Sequence, residues 1–202
     1  LAEAFTKLGS PTRRSIVFLS VTGEEQGLIG AEYYAKNPIF PAVKTVAVIN
    51  MDALDIYGKM KDITIIGYGL SELDKYVEEE AMNQGRTVRP DPKPERGSYF
   101  RSDHFPFARQ GFPAIYPSSG IDHVEHGEEW TKARIDKYVS ENYHKPSDEF
   151  DPNWDLSGAV DDLRLLFKVG YKLGMESIFP NWKEGIEYRA KRDAVLEEAK
   201  KK

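Results

Sequence analysis

Apolar positions along the chain fall into two patterns. Short, nearly continuous apolar runs at residues 15–21 (SIVFLSV), 45–51 (TVAVINM) and 63–67 (ITIIG) are expected of strands covered on both faces. A shorter run at 114–116 predicts another strand. Between them the spacing predicts helices. One covers 26–36 and ends at Asn37-Pro38, and a second is capped by Ser71, runs to about Gln84 and stops at Gly85. A short helix is expected at 102–110 and another near 130–140. The clearest opens at Asp155, where Leu156, Ala159, Val160, Leu163, Leu166, Phe167 and Gly170 trace one buried face.

The remaining segments read as follows. Residues 1–9 resemble the tail of a helix closed by Gly9, and the chain opens on Leu1 without a methionine; the expectation is that upstream sequence has been removed. Residues 86–101 form a Pro- and Arg-rich connection, and the polar, aromatic stretch 122–155 reads as a long functional loop around its helix. Residues 176–202 end in a charged, helical, solvated tail. There are no internal repeats and no linker. Strands alternating with helices predict one α/β domain over 1–202.

Composition narrows the function. Lys and Arg total 28 against 33 Asp and Glu, a net charge of −5, which gives no reason to expect nucleic acid or an anionic membrane as partner. No apolar run approaches the ~18 residues of a membrane span. With no cysteine, a metal could be held only by His, Asp and Glu.

Candidate chemistry lies at the predicted strand ends. Glu24 and Glu25 follow the first strand in SVTGEEQGLIG, and Asp52 follows the second in VINMDAL. The crevice beyond strand C-termini is the usual ligand site of open α/β sheets. Each also has a plain structural reading: acidic residues favour the first turn of a helix, and an isolated Asp is commonly a cap or turn residue. Of the four histidines, His104 lies beside Asp103 in RSDHFPF, and His144 lies in YHKPSDEF, where Asp148 could hold its imidazole. A loop histidine taken singly is a solvated side chain, and His123 and His126 are left so in their acidic loop. Together, Glu25, Asp52 and His144 make an oxygen and nitrogen set suited to zinc, and Glu24 beside a ligand would suit a general base.

TGEEQGLIGAEYY, INMDAL, FRSDHFPFARQGFPAIY and YHKPSDEFDPNWDLSGAV occur in an order and spacing that resemble the zinc-dependent exopeptidases with paired metals. That group includes bacterial leucyl aminopeptidases, glutamate carboxypeptidases and the related glutaminyl cyclases, and the resemblance covers about residues 1–175. It implies a three-layer α/β/α fold whose central mixed, mostly parallel sheet is flanked by helices, here lacking its N-terminal strands. It implies a peptide substrate, two zinc ions, and a secreted or periplasmic location. By position, Glu24 would be the general base, Glu25 and His144 would bind one zinc, and Asp52 the other. Ser102, Asp103 and His104 would lie by the active site, behind the ligands or facing substrate.

The same resemblance places a His-x-Asp motif and a bridging aspartate before Leu1. One ligand for one zinc and two for the other remain, so this chain by itself is expected to bind zinc weakly, to have little peptidase activity and to expose apolar surface. Two rivals share the scaffold: a one-zinc glutaminyl cyclase, which Asp103-His104-Phe105-Pro106-Phe107 resembles, and a non-catalytic binding domain. The resemblance favours an aminopeptidase for the full-length protein, with carboxypeptidase specificity left open.

Overall fold

In chain order the elements are α1 (Ala2–Thr6), α2 (Ile29–Lys36), β1 (Val48–Ile49), β2 (Asp62–Ile66), α3 (Asp74–Asn83), β3 (Thr87–Pro90), α4 (His104–Arg109), β4 (Ala114–Ser119), α5 (Gly127–Glu141), α6 (Ser157–Met175) and α7 (Glu187–Lys200). They come from a computed structural model that describes residues 1–200; the last two residues of the predicted tail lie outside the described residues. The strands form a mixed sheet in the order β1-β4-β2-β3. β1 with β4 and β2 with β3 are parallel, and β2 with β4 is antiparallel.

Helices cover both faces of the sheet, which gives the three-layer α/β/α arrangement. All five β2 residues are buried, three of them isoleucine, and the buried Asp62 carboxylate is met by Ile121 N (3.1 Å) and Asp122 N (2.9 Å). Ile63 and Ile65, with Ile115 of β4, pack against Leu73, Tyr76 and Val77 on the α3 side and against Leu165, Val169 and Leu173 of α6. On the other side, α2 and α4 meet through Ala31, Ala35, Phe107 and Phe112, with Val21 and Val48 against them. Alternation along β4 divides the two layers: Ile115 faces α3 and α6, while Ala114 packs with Ala108 of α4.

Residues 15–21 depart from expectation. No strand forms there, and Val17, Phe18 and Leu19 stay 51%, 45% and 44% exposed. An extended apolar run becomes a strand only beside a partner that takes up its N–H and C=O groups, and none of the described strands lies next to it. Residues 45–51 are likewise reduced to the two paired positions of β1. β3 was expected to be connection; its pairing with β2 recruits it although its side chains are not deeply buried. α6 forms as predicted, with its buried face turned toward Leu165, Val169 and Leu173, while Val160 is largely exposed.

The C-terminal helix is more than a solvated tail. Trp182 is fully buried before it, and Tyr188 and Arg192 are buried on it. Arg192 donates from its guanidinium to Ala42 O (2.7 Å) and Thr45 O (2.9 Å), which fastens α7 to the segment leading into β1.

Candidate active site

The turn carrying Glu24 and Glu25 is held by its own backbone. Gly23 has φ 69°, Leu28 N donates to Glu24 O (2.9 Å), and Gly30 N donates to Thr22 O (2.8 Å). A Cβ on Gly30 would sit 2.5 Å from Thr22 N, so the approach of chain to chain needs glycine there. The result is a tight entry into α2 that presents both carboxylates on one side of the molecule.

Glu25 meets His144 directly, with Oε1 2.8 Å from Nε2. Both side chains are half-exposed. His144 has φ 58°, an uncommon conformation for a residue with a side chain, and the Tyr143 ring stacks on its imidazole at 3.8 Å. Asp148 is taken up elsewhere: its Oδ2 accepts from the Tyr138 hydroxyl at 2.8 Å, and no hydrogen bond joins it to His144.

Asp52 projects from the loop after β1 and is held from behind. Asn50 Nδ2 donates to Ser102 Oγ (2.8 Å), and Ser102 Oγ donates to Asp52 Oδ2 (2.7 Å). Ser102 and Asn50 are buried, so this relay aims the carboxylate outward from a fixed base. Tyr116 of β4 lies beside the same carboxylate; burial first and Asp52 second push its phenol up.

Electrostatics gather these groups into one site. Burial raises the Glu24 pKa, and the charges of Glu25, Asp52 and Asp103 raise it further, while His144 opposes them. Asp103 is raised by burial and then by Asp52. Four carboxylates thus act on one small region, which favours a cation and makes Glu24 a stronger proton acceptor than an ordinary carboxylate. His104 is placed differently. It is fully buried, packed between Tyr99 (4.8 Å) and Tyr116 (5.1 Å), and burial pushes its imidazole down to about 4. It lies behind Asp103 with no exposed surface, and neither ring nitrogen has a hydrogen-bond partner among the described residues.

The donors fit zinc in kind, since carboxylate and imidazole are its ligands in cysteine-free sites. In number they are short: among the described residues no group of three or more His, Asp or Glu could hold an ion. Sequence reasoning missed Asn50, Tyr116 and Tyr143 as parts of the site. Asn50 stands two residues before Asp52 and Tyr143 one before His144, so nearness in sequence to an expected ligand was the available signal.

Comparison with known proteins places the chain in a family and a fold. Residues 1–167 match the model of a family described as Peptidase family M28. Among solved structures, a Legionella pneumophila LapA crystal structure is similar with a TM-score of 0.60 at 17% identity, over 87% of this chain and 45% of that one. A second, the L. pneumophila LapA aminopeptidase, is similar with a TM-score of 0.60 at 18% identity, over 88% of this chain and 44% of that one. At such identities the likeness is one of fold, and this chain spans less than half the length of the structures it matches. No curated protein matches in sequence.

Proposed function

The chain belongs to peptidase family M28, and from that premise we propose that it carries part of the active site of a two-zinc aminopeptidase. Glu25 and His144 would hold one zinc, Asp52 would serve the other, and Glu24 is the general base. The observation that carries the reading is the 2.8 Å contact between Glu25 and His144, which joins the turn before α2 to the loop after α5 with Glu24 adjoining. The named Legionella aminopeptidase inclines the reading toward N-terminal residues.

Zinc held by these side chains supplies Lewis acidity toward the scissile carbonyl and the attacking water. Glu24 takes the proton of that water and returns it to the leaving amine as the C–N bond breaks, a role worth ~10²–10⁴ in rate. Its raised pKa suits the first half of that task, because a carboxylate among other anions holds a proton more readily. Ser102 keeps Asp52 oriented throughout.

Catalytic zinc ordinarily takes three protein ligands, and this reading assigns two to one ion and one to the other, with no group of three such donors together among the described residues. Weak zinc binding by this chain is therefore expected. Calorimetric titration of zinc, with hydrolysis of leucine p-nitroanilide in excess zinc, tests the roles. Glu25→Gln and His144→Gln lose zinc affinity, whereas Glu24→Gln keeps it and loses whatever hydrolysis the chain supports. Wild-type zinc affinity in the first two variants, or undiminished hydrolysis in the third, would overturn the assignment.

A further inference from the structure

An open cavity of about 390 Å³ adjoins Glu24 and Glu25, with Phe100, Arg101, Phe105 and Tyr143 among its lining residues. That volume is at the small end of the ~300–1,000 Å³ of small-ligand sites, a space for a short peptide and not for a folded chain. Two of its walls are aromatic. Phe100 and Phe105 meet edge to face at 5.1 Å, and Tyr143 is fixed by its stack on His144.

Most charges around the cavity are already engaged. Glu25 is paired with His144 at 2.8 Å, Glu32 with Lys36 at 2.7 Å, and Arg109 with Glu32 at 3.7 Å. Arg101 is exposed, and although its backbone N donates to Ser98 O at 3.2 Å, its guanidinium makes no hydrogen bond or ion pair among the described residues. It also has a fixed relation to the chemistry. The single helical turn at Ser98–Phe100 leads straight into it, and the next residue, Ser102, holds Asp52 at 2.7 Å.

With Arg109 turned to Glu32, the uncommitted Arg101 guanidinium beside Glu24 and Glu25 suits a carboxylate of a peptide, which its planar fork can take with two parallel hydrogen bonds. Elsewhere on the rim Glu24 and Glu25 would repel the same group. We propose that this cavity binds the residue that follows the scissile bond, with an apolar side chain against Phe100, Phe105 and Tyr143 and a carboxylate of that residue on Arg101. The substrates favoured are thus dipeptides, whose C-terminal carboxylate falls at that place, or peptides with an acidic side chain there. The proposal deepens the peptidase reading of the site and rests on it for the direction of the bound peptide.

The test is binding of Leu-Phe, Leu-Phe-amide and Leu-Glu-amide to the 202-residue chain without added zinc, followed by NMR shifts of the cavity residues. Leu-Phe should bind about tenfold more tightly than Leu-Phe-amide, the size of one charge-assisted pair. A gain for Leu-Glu-amide assigns the carboxylate to a side chain as well as to a free C-terminus. R101Q should bring Leu-Phe down to the level of its amide, and R101E should invert the preference. Equal affinity for all three peptides, a preference that survives R101Q, or no shift at millimolar peptide would overturn the proposal. Because the readout needs neither zinc nor turnover, loss of carboxylate selection would overturn this inference while leaving the peptidase reading to the zinc titrations and the Glu24, Glu25 and His144 variants.

Discussion

Asp55 offers a sharp test of the electrostatics beneath the site. It is 4% exposed; Oδ1 accepts from Tyr57 N at 2.8 Å, and Oδ2 has no partner among the described residues. A Cβ on Gly158 would collide with both Asp55 Oδ2 and Gly58 O, so these two acceptors crowd one spot at the start of α6. A proton on Oδ2 relieves that conflict. Burial, with smaller contributions from Asp162 and Asp155 against the opposing Tyr57 N–H and Arg86, raises the pKa from 3.8 to about 7. The folded state therefore holds the proton more tightly than the unfolded chain does. This group costs nothing below pH ~4, and the penalty grows as pH rises from 4 to 7 and then levels off. Roughly three pH units at 1.36 kcal/mol each give a penalty of about 4 kcal/mol at pH 8. Asp55→Asn keeps the acceptor for Tyr57 and removes the charge. Urea unfolding from pH 4.5 to 8.5 should show it more stable than wild type by up to about 4 kcal/mol at pH 8, with the difference closing toward pH 4.5. Parallel curves, or a constant loss at every pH, would refute the argument.

Three further outcomes are expected. His104 is the mirror case: its folded pKa of about 4 lies below the usual 6.5, so its contribution is complete above pH 6.5 and is lost as pH falls toward 4. His104→Leu should remove about 3 kcal/mol of acid sensitivity from the urea-unfolding profile in that window, and an unchanged acid limb would count against it. Ser102→Ala leaves Asn50 Nδ2 without its acceptor and Asp52 without its holder. It should cost ~1–3 kcal/mol in urea unfolding and ~10–100-fold in zinc affinity, and a variant unchanged in both would show the relay to be idle. Leu165→Ala, at a fully buried α6 position, should cost ~2–5 kcal/mol in the same melts, whereas Val160→Ala on the exposed face should cost less than 1.

Periodicity and turn chemistry made much of this molecule legible. α3 and α6 follow from their spacing, whereas the need for glycine at position 30 in the turn into α2 shows only in the close approach to Thr22. What periodicity could not supply was partnership. SIVFLSV has the composition of a central strand, yet a strand exists only with a neighbour, and none of the described strands adjoins it. RTVRP lacks an apolar pattern, yet β2 recruits it as β3 because Asp62 to Ile65 offer four paired positions. The same limit applied within the site. Ser102 could be guessed to lie near Asp52, but its donation to that carboxylate and its acceptance from Asn50 depend on α4 lying across β1 and β4. Asp148 stood four residues from His144 in the right motif and still turned to Tyr138, because α5 presents that hydroxyl first.

The two sides of the site are built to different stiffness, and that difference bears on how it would take up an ion. Asp52 is aimed by buried groups on β1, β4 and the start of α4, so its direction is set before any ligand arrives. Glu25 and His144 are exposed by more than half and hold mainly each other. An exposed pair of this kind is worth only about 0–1 kcal/mol, so exchanging their mutual contact for a shared cation costs little. On the two-zinc reading proposed above, the Asp52 side would fix the place of its own ion, and the His144 loop would adjust to the other. The adjustment has an anchor at each end: Tyr143 stacks on the imidazole at the near end, and at the far end Asp155 bridges to Tyr57, two residues beyond Asp55. Asp55 therefore stands where the loop bearing Asp52 meets the end of the loop bearing His144. A change in its charge should alter the spacing of the two ligand sets as well as stability, so zinc affinity in Asp55→Asn should shift even though residue 55 donates nothing to the ion.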